Sequence, residues 1–196
     1  MHIAKFAFLF ALTTALTAQT QAVHGRVDGV SGTNPQRFVL RCTNIPMRSA
    51  TLDLNAMQGQ FWQFQVVDVG APGAPVLDVR SATPLAGTFD MGNLRIGDSN
   101  RWTVHAPAGS FALIALDTVA ATGYRPFGSA GTWLLGGGAA TLALGTTAAN
   151  NQFEIRVTVP QSALPFVGTE LAGQGLIVTS GQPTFTNSEC KTIETR

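Results

Sequence analysis

Gln152-Phe153-Glu154-Ile155-Arg156-Val157-Thr158-Val159 alternates polar and apolar residues without a break. Successive side chains of a β-strand point to opposite faces, so a period of two puts Phe153, Ile155, Val157 and Val159 on one side and Gln152, Glu154, Arg156 and Thr158 on the other. This is the pattern of a half-buried strand. The same period recurs outward along the chain. Residues 101–106 turn Trp102, Val104 and Ala106 inward, and residues 60–69 set Trp62, Phe64 and Val66 against Gln63 and Gln65. Residues 110–116 (SFALIAL) are apolar on both faces, as in a central strand covered on both sides.

Shorter strand candidates are 37–42, 50–54, 75–80, 93–96, 132–135, 141–144, 175–179 and 191–194. Turn-forming clusters separate them, among them Gly70-Ala71-Pro72-Gly73, Gly97-Asp98-Ser99-Asn100, Gly136-Gly137-Gly138 and Asn150-Asn151. Past the first 22 residues no ten-residue stretch keeps a helical period, and residues 161–164 allow at most a short helical turn. The predicted fold is all-β, an antiparallel two-sheet sandwich. Three pairs of segments echo one another in order: 59–61 with 109–111, 86–89 with 130–133, and 102–107 with 155–160. The sandwich is therefore read as one domain over residues 23–196, which two related β-units could build. The alternative is two smaller β domains meeting near residue 107.

The chain has 196 residues, of which 45% are hydrophobic and 12% charged. The first figure is ordinary for a globular protein, and the second is half the usual value of about 25%. A formal charge of +1 gives no electrostatic reason to bind nucleic acid or an anionic membrane. Residues 1–22 read as a signal peptide: Lys5 precedes an apolar run over 7–18, with small-residue exits at Ala18 and Ala22. Thr20-Gln21-Ala22 fits the cleavage pattern better than Leu16-Thr17-Ala18, so the expected cut follows Ala22. The apolar run is too short and too interrupted by threonine to span a bilayer, and no later stretch approaches that length, so no transmembrane segment is expected in the mature chain. The leader carries Lys5 and no acid, so its removal takes the formal charge from +1 to zero.

These features predict a secreted protein, extracellular or held in the cell envelope. In an oxidising compartment Cys42 and Cys190, the chain's two cysteines, are expected to form a disulfide; the alternative is a pair of buried free thiols. The bond would close a loop of about 150 residues, which chain entropy makes worth roughly 4–5 kcal/mol, and would tie the first strand to the last.

The sequence carries few signs of catalytic chemistry. Gly97-Asp98-Ser99 has the look of a serine-hydrolase nucleophile block, but no histidine follows His105 to serve as its base, and Gly-Asp-Ser-Asn reads as a tight turn. Gly136-Gly137-Gly138 is not followed by Lys-Ser/Thr, so it is a loop rather than a phosphate cradle. His24, placed in a loose N-terminal segment, and His105, on a solvated strand face, lack a third ligand between them. The aspartates form no calcium loop, and no pair of glutamates stands out. No catalytic residue, metal site or cofactor is assigned. Trp62 and Trp102 alternate with apolar neighbours and read as core. Tyr124 and Arg125 in a glycine-rich loop, with Trp133 nearby, are the candidates for a ligand-binding surface.

The second half of the chain carries a resemblance. Pro107-Ala-Gly-Ser-Phe111-Ala-Leu-Ile-Ala-Leu116, Pro126-Phe-Gly128, a strand ending in Val159-Pro160, Phe166-Val-Gly168, Leu171, Gln174-Gly-Leu-Ile-Val178 and Thr186-Asn187 together resemble a group of secreted, strand-rich bacterial proteins of unassigned function. The resemblance covers roughly residues 107–195. It implies export and a β-sandwich, and it brings no catalytic residues with it.

The expectation is thus a secreted, non-catalytic structural or protein-interaction module that meets other surface proteins. A carbohydrate-binding module using Tyr124 and Trp133 is the alternative, and a hydrolase comes third. No nucleic-acid partner is expected.

Overall fold

The computed structural model describes residues 19–195; the charged and apolar parts of the expected signal peptide lie outside them. Its first part contains β1 (Gln21–Gly25), β2 (Val27–Val30), β3 (Arg37–Leu40), β4 (Pro46–Arg48), β5 (Trp62–Asp68) and β6 (Leu77–Pro84). Their order in the sheet is β1-β5-β6-β4-β3-β2. The two ends of this order, β1 and β2, are consecutive in the chain and separated only by Arg26. They are two halves of one bent strand, so the sheet curls round and its ends meet. All pairings are antiparallel except β4 with β6. The result is a small barrel with a Greek-key path. Its interior is filled by Val23, Val27, Leu40, Phe64, Val66 and Leu77, all fully buried.

The barrel contains two departures from the sequence reading. The segment before residue 25, expected to be loose, is strand: β1 pairs with β5 through five rungs, from Gln21↔Val66 to Gly25↔Trp62. Gln21 and Ala22, assigned to the leader, are therefore part of the barrel wall. Residues 50–54, expected to be strand, are not. Asp53 Oδ1 accepts a hydrogen bond from the Asn55 amide and starts a 3-10 turn, Asn55–Met57. A side chain that bonds its own backbone two residues on competes with a ladder, and here it wins. The turn buries Leu54 and Met57 against the barrel core.

The second part holds β7 (Phe89–Asp90), β8 (Leu94–Arg95), β9 (Ser99–His105), β10 (Phe111–Thr118), β11 (Arg125–Pro126), β12 (Thr132–Trp133), β13 (Ala140–Thr146), β14 (Gln152–Thr158), β15 (Glu170–Thr179) and β16 (Gln182–Glu194). A five-stranded layer, β13-β10-β15-β16-β8, faces a three-stranded layer, β14-β9-β7. Trp102, Phe89, Ile114 and Ile177 pack between them. The fold is all-β and sandwich-like, as the period-two reading predicts. Gly173 lets the layers close: a Cβ there would meet the Phe89 ring at 2.9 Å. A 3-10 turn at Gln161–Phe166 occupies the one place where the sequence allowed helix. Gly97 and Asp98 form the expected turn between β8 and β9, closed by Asp98 N–H to Arg95 O at 3.0 Å.

The change from barrel to sandwich falls between β6 and β7, at residues 85–88, while residue 107 lies in the corner where the chain crosses from β9 in one layer to β10 in the other. Two of the echoing segments are direct partners, with Trp102 paired to Ile155 in the β9–β14 ladder.

Three devices lock the parts together. Cys42 and Cys190 form the predicted disulfide, 148 residues apart in sequence with Cα atoms at 5.3 Å. Cys42 lies in the turn after β3 rather than on the first strand, so the bond ties that turn to β16. The excursion between β10 and β13 leans on the barrel: Thr132 Oγ1 donates to Ala22 O at 2.8 Å, and Leu134 is fully buried in the barrel core. Two buried amides then fix the backbone. Gln174 accepts from Leu134 N–H at 2.8 Å and donates to Thr132 O and Thr186 O at 3.0 and 3.1 Å. Asn187 accepts from Thr88 and Phe89 N–H at 2.8 and 3.0 Å and donates to Phe89 O at 2.9 Å.

Candidate functional site

Two of the three ligand candidates, Arg125 and Trp133, fall on the short β11–β12 ribbon and Tyr124 immediately precedes it, but they do not share a surface. Arg125 and Trp133 are opposed in its ladder. Trp133 lies against the cluster around the disulfide, and its ring meets Phe185 at 5.5 Å between centroids. Tyr124, one residue before the ribbon, is turned the other way and packs on the barrel core. A single aromatic platform built from Tyr124 and Trp133 is therefore absent. Trp102 is fully buried and Trp62 half-buried, its Nε1–H donating to Met57 O at 2.9 Å.

Tyr124 borders a cleft of about 640 Å³ between the barrel and the excursion, with Asn44, Asp68, Pro75, Ala120 and Thr122 among its walls. Burial, reinforced by the Asp68 carboxylate, pushes the Tyr124 phenol up to about 12, and the Thr132 hydroxyl offsets this only in part. The phenol is thus a neutral group at physiological pH. Asp68 is occupied structurally: its Oδ1 accepts from Gly70 and Val76 N–H at 2.9 and 3.0 Å and holds the β5–β6 loop. The cleft has a polar rim but no nucleophile set beside a base. Among the described residues, no three His, Cys, Asp or Glu side chains are grouped to hold a metal ion, and no helix is long and apolar enough to cross a membrane.

The most distinctive surface is on the other side of the ribbon. Strand register assigns the two faces of the five-stranded layer. Ala112, Ile114 and Ile177 point into the sandwich. Leu144, Leu113, Leu176 and Phe185 are aligned across β13, β10, β15 and β16 on the outer face. The next row is Thr146, Phe111, Val178 and Pro183. The lower half of this outer face is covered by the excursion, with Leu135, Trp133 and the disulfide against Ala115 and Ala172. The upper half is open: Phe111 is 37% and Leu144 64% exposed. Phe127, 55% exposed, extends it by packing on Phe185 at 5.4 Å between centroids. The expected cover on both faces of β10 is therefore complete on one face and partial on the other.

Sequence reading missed this surface because its parts come from β10, β13, β15, β16 and the ribbon. Its one local signal was the doubly apolar run at 110–116, which by itself indicates burial. The chain matches no protein-family model, no curated protein and no solved structure.

Proposed function

We propose that this chain is an exported, non-catalytic docking module whose contact surface is the outer face of its five-stranded layer. One observation carries the reading: Leu144, Leu113 and Leu176 make an apolar row across three strands that ends on Phe185, itself buried against the Phe127 and Trp133 rings, and exposed Phe127 and Phe111 flank it. A contiguous apolar patch on a folded surface marks an interaction site, because leaving it in water forgoes about 25 cal/mol for each Å² that a partner would cover. The Cys42–Cys190 bond supports export, since such bonds persist in oxidising compartments. The glycan reading is less supported: the Tyr124 ring that would stack on a sugar is turned onto the barrel core.

A photo-crosslinking amino acid placed at Phe127 in the secreting cell tests the proposal, with the same probe at Arg156, on the polar face of β14, as control. Discrete protein adducts at position 127 and none at 156 are expected. Equal labelling at the two positions, or none at 127, overturns the reading.

A further inference from the structure

The open face ends at a sheet edge. Among the described residues, β13 bonds only to β10. Its seven residues, Ala-Thr-Leu-Ala-Leu-Gly-Thr, include no charge and no proline, and every one is exposed or half-buried. Several other strand edges among the described residues are guarded. The barrel ends meet at Arg26. β14 carries Glu154 and Arg156, with Arg101–Glu154 an ion pair at 3.0 Å. β7 and β8 are two residues long; the backbone of Phe89 in β7 is bonded by Asn187, and Arg95 of β8 pairs with Glu194. An unguarded, uncharged edge of this length is a template for another strand.

We infer that a second copy of this chain occupies this edge by antiparallel β13–β13 pairing centred on Leu144, which rests on the docking reading above. Backbone direction supports that register. Thr147 directs its N–H to Ser110 O and accepts from Gly109 N–H, so its backbone groups face β10. Alternation along an antiparallel strand then points the amide and carbonyl of Leu144 and Thr146 outward. Centred on Leu144, the two copies exchange N–H···O bonds there, and each Ala143 lies opposite a Gly145. The register shift beside Ile114 leaves Leu142 without a partner on β10, so the regular part of the edge is residues 143–146 and the symmetric pairing is carried by Ala143, Leu144 and Gly145.

A copy fits better than an unrelated partner for two reasons. The apolar row meets itself at its own height, so Phe185, Leu176, Leu113 and Leu144 continue across the two-fold axis into the same residues in reverse. And no charge on β13 meets a like charge, while removal of the leader leaves the whole chain formally neutral, so copies do not repel. The contact is isologous and closes after two subunits. One strand pair and its flanks make a small interface, so the dimer belongs to the concentration-dependent class.

Sedimentation velocity of the leaderless protein from about 5 to 500 µM tests this inference, together with two variants at the exposed Leu144. A monomer–dimer equilibrium is expected for the parent, and Leu144→Lys should remain monomeric throughout with an unchanged thermal midpoint. Leu144→Cys should give a two-chain product under mild oxidation that reductant reverses, because only this register brings position 144 against itself. A parent that stays monomeric, or a dimer that Leu144→Lys leaves intact, overturns the inference. Binding of an anilinonaphthalene sulfonate dye separates it from the docking reading. If the parent is monomeric but binds dye that Leu144→Lys loses, the self-pairing alone fails; if the parent binds no dye, both fail.

Discussion

Arg26 Nη2 donates to Glu189 Oε1 at 2.8 Å across the waist between barrel and sandwich, and the same guanidinium lies 3.9 Å from the centroid of the Phe61 ring. Arg26 is the single residue at the bend where the barrel's first strand turns from β1 to β2, and Glu189 sits on β16 beside the disulfide. The pair therefore joins the point where the barrel closes to the strand that carries the second cysteine.

The partners are unequal, and this gives the first prediction. Glu189 has a side chain 7% exposed, against 25% for Arg26. Removing Arg26 strands a buried carboxylate, whereas removing Glu189 leaves a guanidinium that reaches water and keeps its ring contact. Arg26→Ala should destabilise by about 2–4 kcal/mol at neutral pH, and Glu189→Gln by less than half of that. The double variant should recover part of the Arg26→Ala loss. Urea unfolding of the four proteins checks this, and equal losses for the two single variants would contradict it.

Two titrating groups at the same waist act in opposite directions on the pH dependence. Burial raises the Glu189 carboxyl above its ordinary 4.5, an effect to which Asp90 adds and against which Arg26, Lys191 and Arg41 work. The folded state therefore holds this proton more tightly than the unfolded chain, and stability declines as pH rises from 4.5 through the raised value. Burial lowers His24 below 6.5, opposed by its Nδ1–H bond to Phe185 O at 2.8 Å. Its contribution is fully present above 6.5 and declines as pH falls through the lowered value. Thus Glu189→Gln should flatten the upper side of the stability profile and His24→Gln the acid side. Urea midpoints measured every half unit from pH 4 to 8 decide, and a His24→Gln profile parallel to the parent's would sink the assignment.

These residues also show what the sequence could and could not reveal. The alternations at Phe153–Val159, Trp102–Ala106 and Trp62–Val66 were legible because each strand has one wet and one dry face, and position in sequence alone encodes that. The cysteine pair was legible by elimination. β1 was not: Gln21-Ala22-Val23-His24-Gly25 presents one strong apolar residue, and its pairing depends on β5, forty residues away. His24 accordingly read as loose although it is half-buried. β4, β7 and β11 are two or three residues long and carry no period to detect. The open outer face was illegible for the same reason on a larger scale, since register between distant strands creates it.

Gln174 and Thr186-Asn187 are motif residues to which the sequence alone assigns no role, and the structure gives them one. Gln174 is fully buried and satisfies one backbone N–H and two carbonyls. Gln174→Leu preserves volume but leaves all three without partners. Each orphaned buried group costs about 1–3 kcal/mol, partly relieved by relaxation, so a loss of about 2–4 kcal/mol is expected. Gln174→Glu should be no better, because its second oxygen would face the Thr132 and Thr186 carbonyls. Chemical unfolding measures both, and a Leu variant within 1 kcal/mol of the parent would show that the amide is not a clamp.

The barrel finally bears on where a leader peptidase would cut. Cleavage after Ala22 would begin the mature chain at Val23, whose side chain is fully buried in the barrel core. It would delete the rungs Gln21↔Val66 and Ala22↔Gln65, remove the carbonyl that accepts from Thr132, and place an α-ammonium in the barrel wall. Desolvating such a charge without a partner is expensive. Cleavage after Ala18 would begin the chain at Gln19, which is exposed and two residues ahead of β1. Export of the chain with its leader should therefore yield a protein whose intact mass corresponds to residues 19–196, reduced by the loss of ammonia wherever the terminal glutamine has cyclised. A mass for residues 23–196 would refute this, and would also require β5 to hold its edge with only Val23, His24 and Gly25 opposite it.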